Sequence, residues 1–364
     1  MSSPDLRPLA ESFRGIAEYL SVRGASLYAA LLRGAAEDEA LLRLTGAAPA
    51  NHMPPHLLLA VVHFMLLRQP DDPLARFYGS ITDAPAPPGE AFAPFRRYCL
   101  AHAEEIGAML ATRILQSNSP GRAAYLLPAM MRVAAQTGGQ PISLVEVGCS
   151  AGLLTQFDHY GYDFGDGVVI GPESGPRLHG FQFRDRRPDL TGGMPSIGER
   201  VGIDLNPIDV RAADERLWIE ALIPPEDRAE RAFVTQALDV RAKASFPVRR
   251  GDALVELPAV LERFKDPVCV FHSACLYQWP APSRLAFAEM LRRESAGRVI
   301  HRVSLEGVDI EIDPSDETAP LAEGETPEPG ITCNITHLVY RDGAVSSTLL
   351  GRYDGWGREG IWFC

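Results

Sequence analysis

Residues 144–157 read LVEVGCSAGLLTQF, and two motifs overlap in them. Gly148, Ser150 and Gly152 spell G-x-S-x-G, the turn that lifts a nucleophilic serine off the end of a strand. Glu146, Gly148 and Gly152 spell an acid followed by a tight glycine turn, the opening of a nucleotide-binding loop whose backbone N–H groups face a ligand. The letters fit both. The flanking sequence separates them.

Upstream, residues 10 to about 137 have helical spacing. FRGIAEYL (13–20), SLYAALLRGAAEDEALLRL (26–44), HLLLAVVHFMLL (56–67) and FRRYCLAHAEEIGAMLATRIL (95–115) place apolar residues at i, i+3 and i+4. Pro54, Pro55 and the connector DAPAPPG (83–89) break the run, and a last helix over 121–136 stops at TGGQP. Downstream the period changes. Short apolar strands at ISLVEV (142–147), RVGIDL (200–205), SFPVRRGD (245–252), DPVCVFHSA (266–274) and GRVIHRVSLEG (297–307) alternate with helices, the first of them AGLLTQFDHYG. Such alternation specifies a parallel sheet covered on both faces. ITCNITHLVYRDG (331–343) and AVSSTLLGRYD (344–354) then predict a closing antiparallel hairpin turned at Asp342-Gly343.

The expectation is therefore an α/β fold, a Rossmann-like sheet domain over 138–364 behind an all-helical domain over 1–137. Residues 161–199, rich in glycine and proline, read as a β-rich insertion between the first two core strands. Residues 308–330 hold eight acids and no base, and read as a mobile surface loop.

A hydrolase elbow follows several earlier strands and needs an oxyanion loop of the H-G-G-G type. Here the lead-in is helical and that loop is absent, although Asp252, His272, His301 or His337 could be drafted as partners of Ser150. The nucleotide reading asks for an acid at the end of the second strand, to accept hydrogen bonds from a ribose diol. Asp204 in VGIDLNP stands there, 58 residues after Glu146 (204 − 146) against about 20 in the usual spacing. The insertion accounts for the excess. Asp252 and Ala253 follow the third strand, where an adenine amino group would be received, and His272 ends the fourth. Neither G-x-G-x-x-G nor a P-loop G-K-[ST] follows the first strand.

These residues resemble the class I S-adenosylmethionine-dependent methyltransferases: LVEVGCSAGLL is similar to their first motif, VGIDLNP to the second, RRGDALVELP to the third and DPVCVFHSACL to the fourth. The resemblance implies that Glu146, Gly148, Ser150 and Gly152 surround the methionine part of the cofactor. It also implies that Asp204 binds the ribose and that Asp252 with Ala253 meets the adenine. More narrowly, TRILQSNSPGR, LVEVGCSAGL, YDFGDG, GIDLNP, RRGDA, VFHSA and SLEG are similar to a family of uncharacterised bacterial proteins, which supports the fold more than a reaction. The glycine often found in the middle of the first loop is Ser150 here.

Other residues remain open between two roles. In TRILQSNSPGR (112–122), Gln116, Asn118 and Arg122 either cap a helix break or hold an anionic group of substrate or cofactor. His272 is a candidate general base, or a hydrogen-bonded strand end. Tyr277 and Trp279 line an acceptor pocket or simply pack. His52, His56 and His63 invite a metal reading, but Pro54 and Pro55 spoil the helical spacing of the first pair, and Cys149 sits at a predicted helix N-terminus, which lowers its pKa.

Net charge is −12, which argues against a broad nucleic-acid face; FRDRRP (183–188) is the strongest local basic run. Six cysteines show no C-x-x-C pair, no secretory h-region opens the chain, and the longest apolar run is too short for a bilayer. The expectation is a cytoplasmic enzyme that moves a methyl group from S-adenosylmethionine to a small-molecule acceptor, without a metal, nucleic-acid or membrane partner. A non-catalytic binding protein on the same fold is the second reading, a serine hydrolase the third.

Overall fold

The computed structural model describes residues 5–46, 48–49, 53–116, 119–165, 167–265, 267–316 and 330–364. His52, Asn118 and most of the acidic stretch, 317–329, lie outside them. By packing, the chain divides into two compact units, Met1–Ser117 with Arg211–Thr235, and Asn118–Val210 with Gln236–Cys364. The dividing points differ from the single boundary expected near 137 because two helices pack elsewhere than their sequence neighbours suggest. α7 (Ala123–Gln136) belongs to the sheet unit, whereas α8 (Ala213–Ala221) packs on the N-terminal helices. No helix among the described residues is long and apolar enough to cross a membrane.

The first unit contains α1 (Arg7–Val22), α2 (Ser26–Ala36), α3 (Glu39–Thr45), α4 (Pro54–Arg68), α5 (Phe92–Ala101), α6 (Ala103–Thr112) and α8. α1 buries Phe13, Ala17 and Leu20, one stripe at i, i+4, i+7. Two long helical runs in the sequence are each split in two. Asp38 caps α3 by accepting from the Leu41 amide at 3.0 Å, and a break at His102 separates α5 from α6. α4 opens on Pro54 and Pro55, which fit a first turn, and is apolar all round because it runs through the core. Within it His63 is fully buried, its Nε2 2.7 Å from the Ser80 hydroxyl and its Nδ1 2.9 Å from the Tyr28 hydroxyl. That is a hydrogen-bonded core histidine, and no metal-holding group of histidine, cysteine or acidic residues occurs among the described residues.

The second unit is built on a nine-stranded sheet. Its parallel core is β1 (Ile142–Val147), β6 (Ile197–Asp204), β7 (Val248–Arg250), β8 (Val268–Ser273) and β9 (Val299–Gly307), in the spatial order β7-β6-β1-β8-β9. Numbered within the core this is 3-2-1-4-5, the doubly wound order, whose direction reverses between β1 and β8. β10 (Cys333–Arg341), β11 (Ala344–Tyr353) and β12 (Glu359–Trp362) close the sheet as antiparallel strands. The β10–β11 turn is Asp342-Gly343, both at positive φ (48° and 80°), the pairing a two-residue hairpin demands. Along β9, Arg302 faces α11 (Ala281–Glu294), its guanidinium 4.7 Å from the Phe287 ring centre, whereas His301 lies on the alternate face. α7 and α10 (Ala253–Leu261) complete the layers, and Val145, Ile203, Val270, Leu257 and Phe287 share one apolar core.

The insertion is more than a hairpin. β2 (Gly161–Asp163), β3 (Val169–Ile170) and β4 (Arg177–Leu178) form a small separate sheet, and β5 (Gln182–Arg184) joins the outer edge of the large one beside β12. Phe183 docks on Tyr125 and Trp362, and Arg184 pairs with Glu359. The arginines of FRDRRP are thus partly used in holding this edge.

Candidate functional site

Open doubly wound sheets bind ligands at the carboxyl edge, where the strand order reverses. At that edge β1 ends in Val147 and the chain turns through Gly148 (φ 73°), Ser150 (φ 50°) and Gly152 (φ 72°). Gly148 is required: a Cβ there would stand 2.3 Å from the sulfur of Cys275, which begins the loop after β8. The α-helix expected over AGLLTQFDHYG does not form. Its place is taken by a six-residue 3-10 segment, Leu154–His159, interrupted by non-helical angles at Gln156 (φ −101°, ψ 16°). No helix N-terminus therefore faces a ligand here. The loop amides are spent at home: Gly148 and Cys149 donate to the Ile203 carbonyl (2.8 and 3.3 Å), and Gly152 to that of Cys149 (2.6 Å).

Without the helix the expected activation of Cys149 also fails. Its side chain packs where a Cβ of Gly202 would meet the sulfur at 2.6 Å, and burial, aided by Glu146 and Asp204, pushes the thiol up instead of down.

The acid ending β6 and the loop ending β1 are joined directly. Asp204 accepts the Ser150 amide at Oδ2 and the Asn206 amide at Oδ1, each at 2.7 Å. Ser150 holds a left-handed backbone that costs a non-glycine residue about 1 kcal/mol. Its buried hydroxyl oxygen has no hydrogen-bond partner among the described residues. A nucleophilic serine needs a base within reach, and none bonds to this one.

Glu146 lies beneath the loop, accepting from the Thr155 hydroxyl. Burial pushes its carboxyl up to about 8, against the opposing pull of that hydroxyl and of Arg122. Arg122 is itself buried and donates from Nη1 to the Ser273 hydroxyl at 2.9 Å, so residues 119–122 are tied to the end of β8. Asp252 is exposed and caps α10, accepting the Leu254 amide at 2.9 Å, with Ala253 buried behind it. Tyr277 is half exposed in the short turn Leu276–Gln278. Gln116 falls in the helical unit.

His272 is not placed as a general base. The side chain is fully buried; Nδ1 is 2.8 Å from Glu306 Oε1, and Nε2 accepts from Arg302 Nε at 3.0 Å. Arginine can only donate, so Nε2 carries no proton and Nδ1–H donates to the carboxylate. Burial and Arg302 lower the imidazole pKa, with Glu306 opposing. Neither ring nitrogen is open to a substrate.

Glu306 is the hub that sequence reasoning passed over. Besides His272 it accepts the amides of Cys275 (3.0 Å) and Leu276 (3.1 Å), fixing the loop after Ala274, whose φ is 49°. Arg302 extends the network to the Ile312 carbonyl and the Tyr340 hydroxyl, which donates to Asp313 at 2.8 Å. A signal was present: an arginine and an acid inside the otherwise apolar strand VIHRVSLEG, where polar groups survive burial only when bonded.

The chain matches, over residues 10–362, the model of a family described as an uncharacterized protein conserved in bacteria (DUF2332). The chain belongs to that family. A search of curated proteins found no match. Among solved structures, one titled "X-ray structure of the sugar N-methyltransferase KedS8 from Streptoalloteichus sp ATCC 53650" aligns over 62% of this chain and 69% of that one, at 12% identity and a TM-score of 0.21. A superposition that loose carries no argument, and the fold assignment of this DUF2332 protein rests on its strand order.

The residues at the carboxyl edge fit the polar half of S-adenosylmethionine. Asp204 stands at the ribose position of the doubly wound fold, the loop between it and Glu146 is wound tightly through positive φ, and an orphaned serine hydroxyl lies in that loop. The Asp204 carboxylate accepts a loop amide at each of its oxygens.

Proposed function

We propose that this protein binds S-adenosylmethionine at the carboxyl edge of its parallel sheet and methylates a small-molecule acceptor. The observation that carries the reading is the junction of Asp204 with the Ser150 amide, beside a buried hydroxyl that lacks a partner. In this reading Asp204 takes the ribose hydroxyls, and Glu146, Gly148, Ser150 and Gly152 surround the methionine part. Asp252 and Ala253 meet the adenine, and Arg122 and Tyr277 border the acceptor. The cofactor supplies a methyl group already activated on a sulfonium, so the protein's task is in-line positioning and the exclusion of water. With His272 sealed, the acceptor must be a nucleophile that reacts without a protein base at that position.

Calorimetric titration with S-adenosylhomocysteine tests this: saturable binding near one per chain supports it, and no heat at millimolar ligand overturns it. The sealing of His272 also favours a second reading, a ligand-binding protein without turnover. Saturable cofactor binding with no methyl transfer to amine, hydroxyl and thiol acceptors would select that reading.

A further inference from the structure

At the opposite, amino-terminal side of β6 lies a cleft of about 510 Å3 lined by Gln156, His159, Gly198 to Arg200, Val240 and Lys243 to Pro247. The volume is within the range of small-molecule sites. Of its polar lining, Arg200 is fully engaged. Arg200 forms a two-pronged ion pair with Asp158, both contacts at 2.7 Å, and donates to the Thr155 carbonyl at 2.8 Å. His159 only approaches Asp158, at 4.0 Å, and Ser245, Gln156, Lys243 and Glu199 have no side-chain partner among the described residues. Gln156 is 1% exposed, yet its amide nitrogen has no acceptor among the described residues. It also sits where the 3-10 segment departs from helical angles. Lys243 and Glu199 are exposed, and neither joins an ion pair among the described residues. Val240, Phe246 and Pro247 add an apolar wall.

Burying an amide N–H without a partner is unfavourable. A donor of this kind calls for a carbonyl or carboxylate oxygen. With Arg200 cancelled by Asp158, the cleft holds one unpaired cation and one unpaired anion. That balance suits a zwitterion better than a net anion or a net cation. We propose that this cleft binds a free α-amino acid with an apolar side chain. Gln156 and Lys243 receive the carboxylate, Glu199 receives the ammonium, and Val240 and Phe246 take the side chain. The site is separate from the carboxyl-edge site and stands whether or not that one binds a nucleotide.

The test is a titration of the full chain with L-phenylalanine, followed by the chemical shift of ligand and protein. Phenylacetate, which lacks the ammonium, and phenethylamine, which lacks the carboxylate, are the controls. The expected result is saturable millimolar binding of phenylalanine, with each control weaker by about tenfold or more. Lys243→Ala should lose the preference for carboxylate-bearing ligands. Glu199→Gln should bring phenylalanine down to the level of phenylacetate. Both positions are exposed, so neither variant threatens folding, and S-adenosylhomocysteine binding should be unchanged in both. No binding, equal binding of all three ligands, or indifference to both substitutions would overturn the proposal.

Discussion

β1 and β8 are neighbours in the sheet, and their carboxyl ends treat polar groups in opposite ways. At the end of β8 the histidine and the acid are paired: both ring nitrogens of His272 are used, and Glu306 holds that ring and two loop amides, while Arg302 Nη2 behind them has no partner among the described residues. At the end of β1, Ser150 spends backbone strain to place a hydroxyl that meets nothing, above an acid that burial keeps protonated near neutrality. Buried polar groups that bond one another serve the structure, and the proposed cofactor site is put where a buried hydroxyl at the carboxyl edge bonds to none. The histidine, the residue most suggestive of chemistry, falls on the structural side.

The contrast is most easily broken at Glu306. Glu306→Ala strips His272 and two amides of their acceptor and leaves Arg302 buried without it, a loss of about 3–5 kcal/mol measured by denaturant unfolding. Glu306→Gln, which keeps an acceptor oxygen, should lose less. If both variants unfold like the parent protein, the β8 end is not a structural hub.

Glu146 gives the next largest effect, and its sign is opposite to the usual carboxylate. Its folded pKa, about 8, stands above the ordinary value of 4.5, so the fold holds a proton that the unfolded chain releases. Stability is then fully present below 4.5 and falls as pH rises towards 8, by up to about 1.4 kcal/mol per pH unit. Glu146→Gln should flatten that limb in thermal unfolding followed against pH. His337 acts in the other direction: burial lowers its imidazole to about 3, so its contribution is present above 6.5 and is lost as pH falls towards 3. An unchanged alkaline limb in Glu146→Gln would show that the carboxyl is not held protonated.

At Ser150 the expected difference is about 1 kcal/mol. Ser150→Gly relieves the left-handed strain and should unfold at higher denaturant than Ser150→Ala, which keeps the strain and loses the hydroxyl. Neither loss removes a nucleophile, so a fluorophosphonate probe should leave the parent protein unlabelled; labelling at Ser150 would restore the hydrolase reading. Smallest is Asp252→Asn. Asparagine caps a helix about as well as aspartate, so stability should change by less than about 0.5 kcal/mol. Affinity for S-adenosylhomocysteine should fall severalfold, and an unchanged affinity would remove Asp252 from the adenine site.

The alternation from LVEVGCSAGLL onwards made the parallel sheet legible, because continuous apolar runs of six residues between glycines have few other solutions; the spatial order of its strands came from the structure. Asp204 was legible for the same reason, since a strand end is a fixed place. The helix after Gly152 was misread because LLTQFDH is apolar enough for one. What the composition did not convey is that the loop amides turn back onto Ile203 and Asp204, which shortens the segment to 3-10 geometry. His272 stayed open between a general base and a hydrogen-bonded strand end for a related reason: its role is decided by Arg302 and Glu306, thirty residues on, and such pairing is invisible until strands are in register.

The most direct test of the central claim, that the β1 loop and Asp204 hold the cofactor, is a crystal structure with S-adenosylhomocysteine. The account predicts ribose density within hydrogen-bond distance of the Asp204 carboxylate and the amino-acid end of the ligand over Gly148–Gly152. Ligand density elsewhere in the molecule, with the Ser150 hydroxyl and Asp204 untouched, would contradict it.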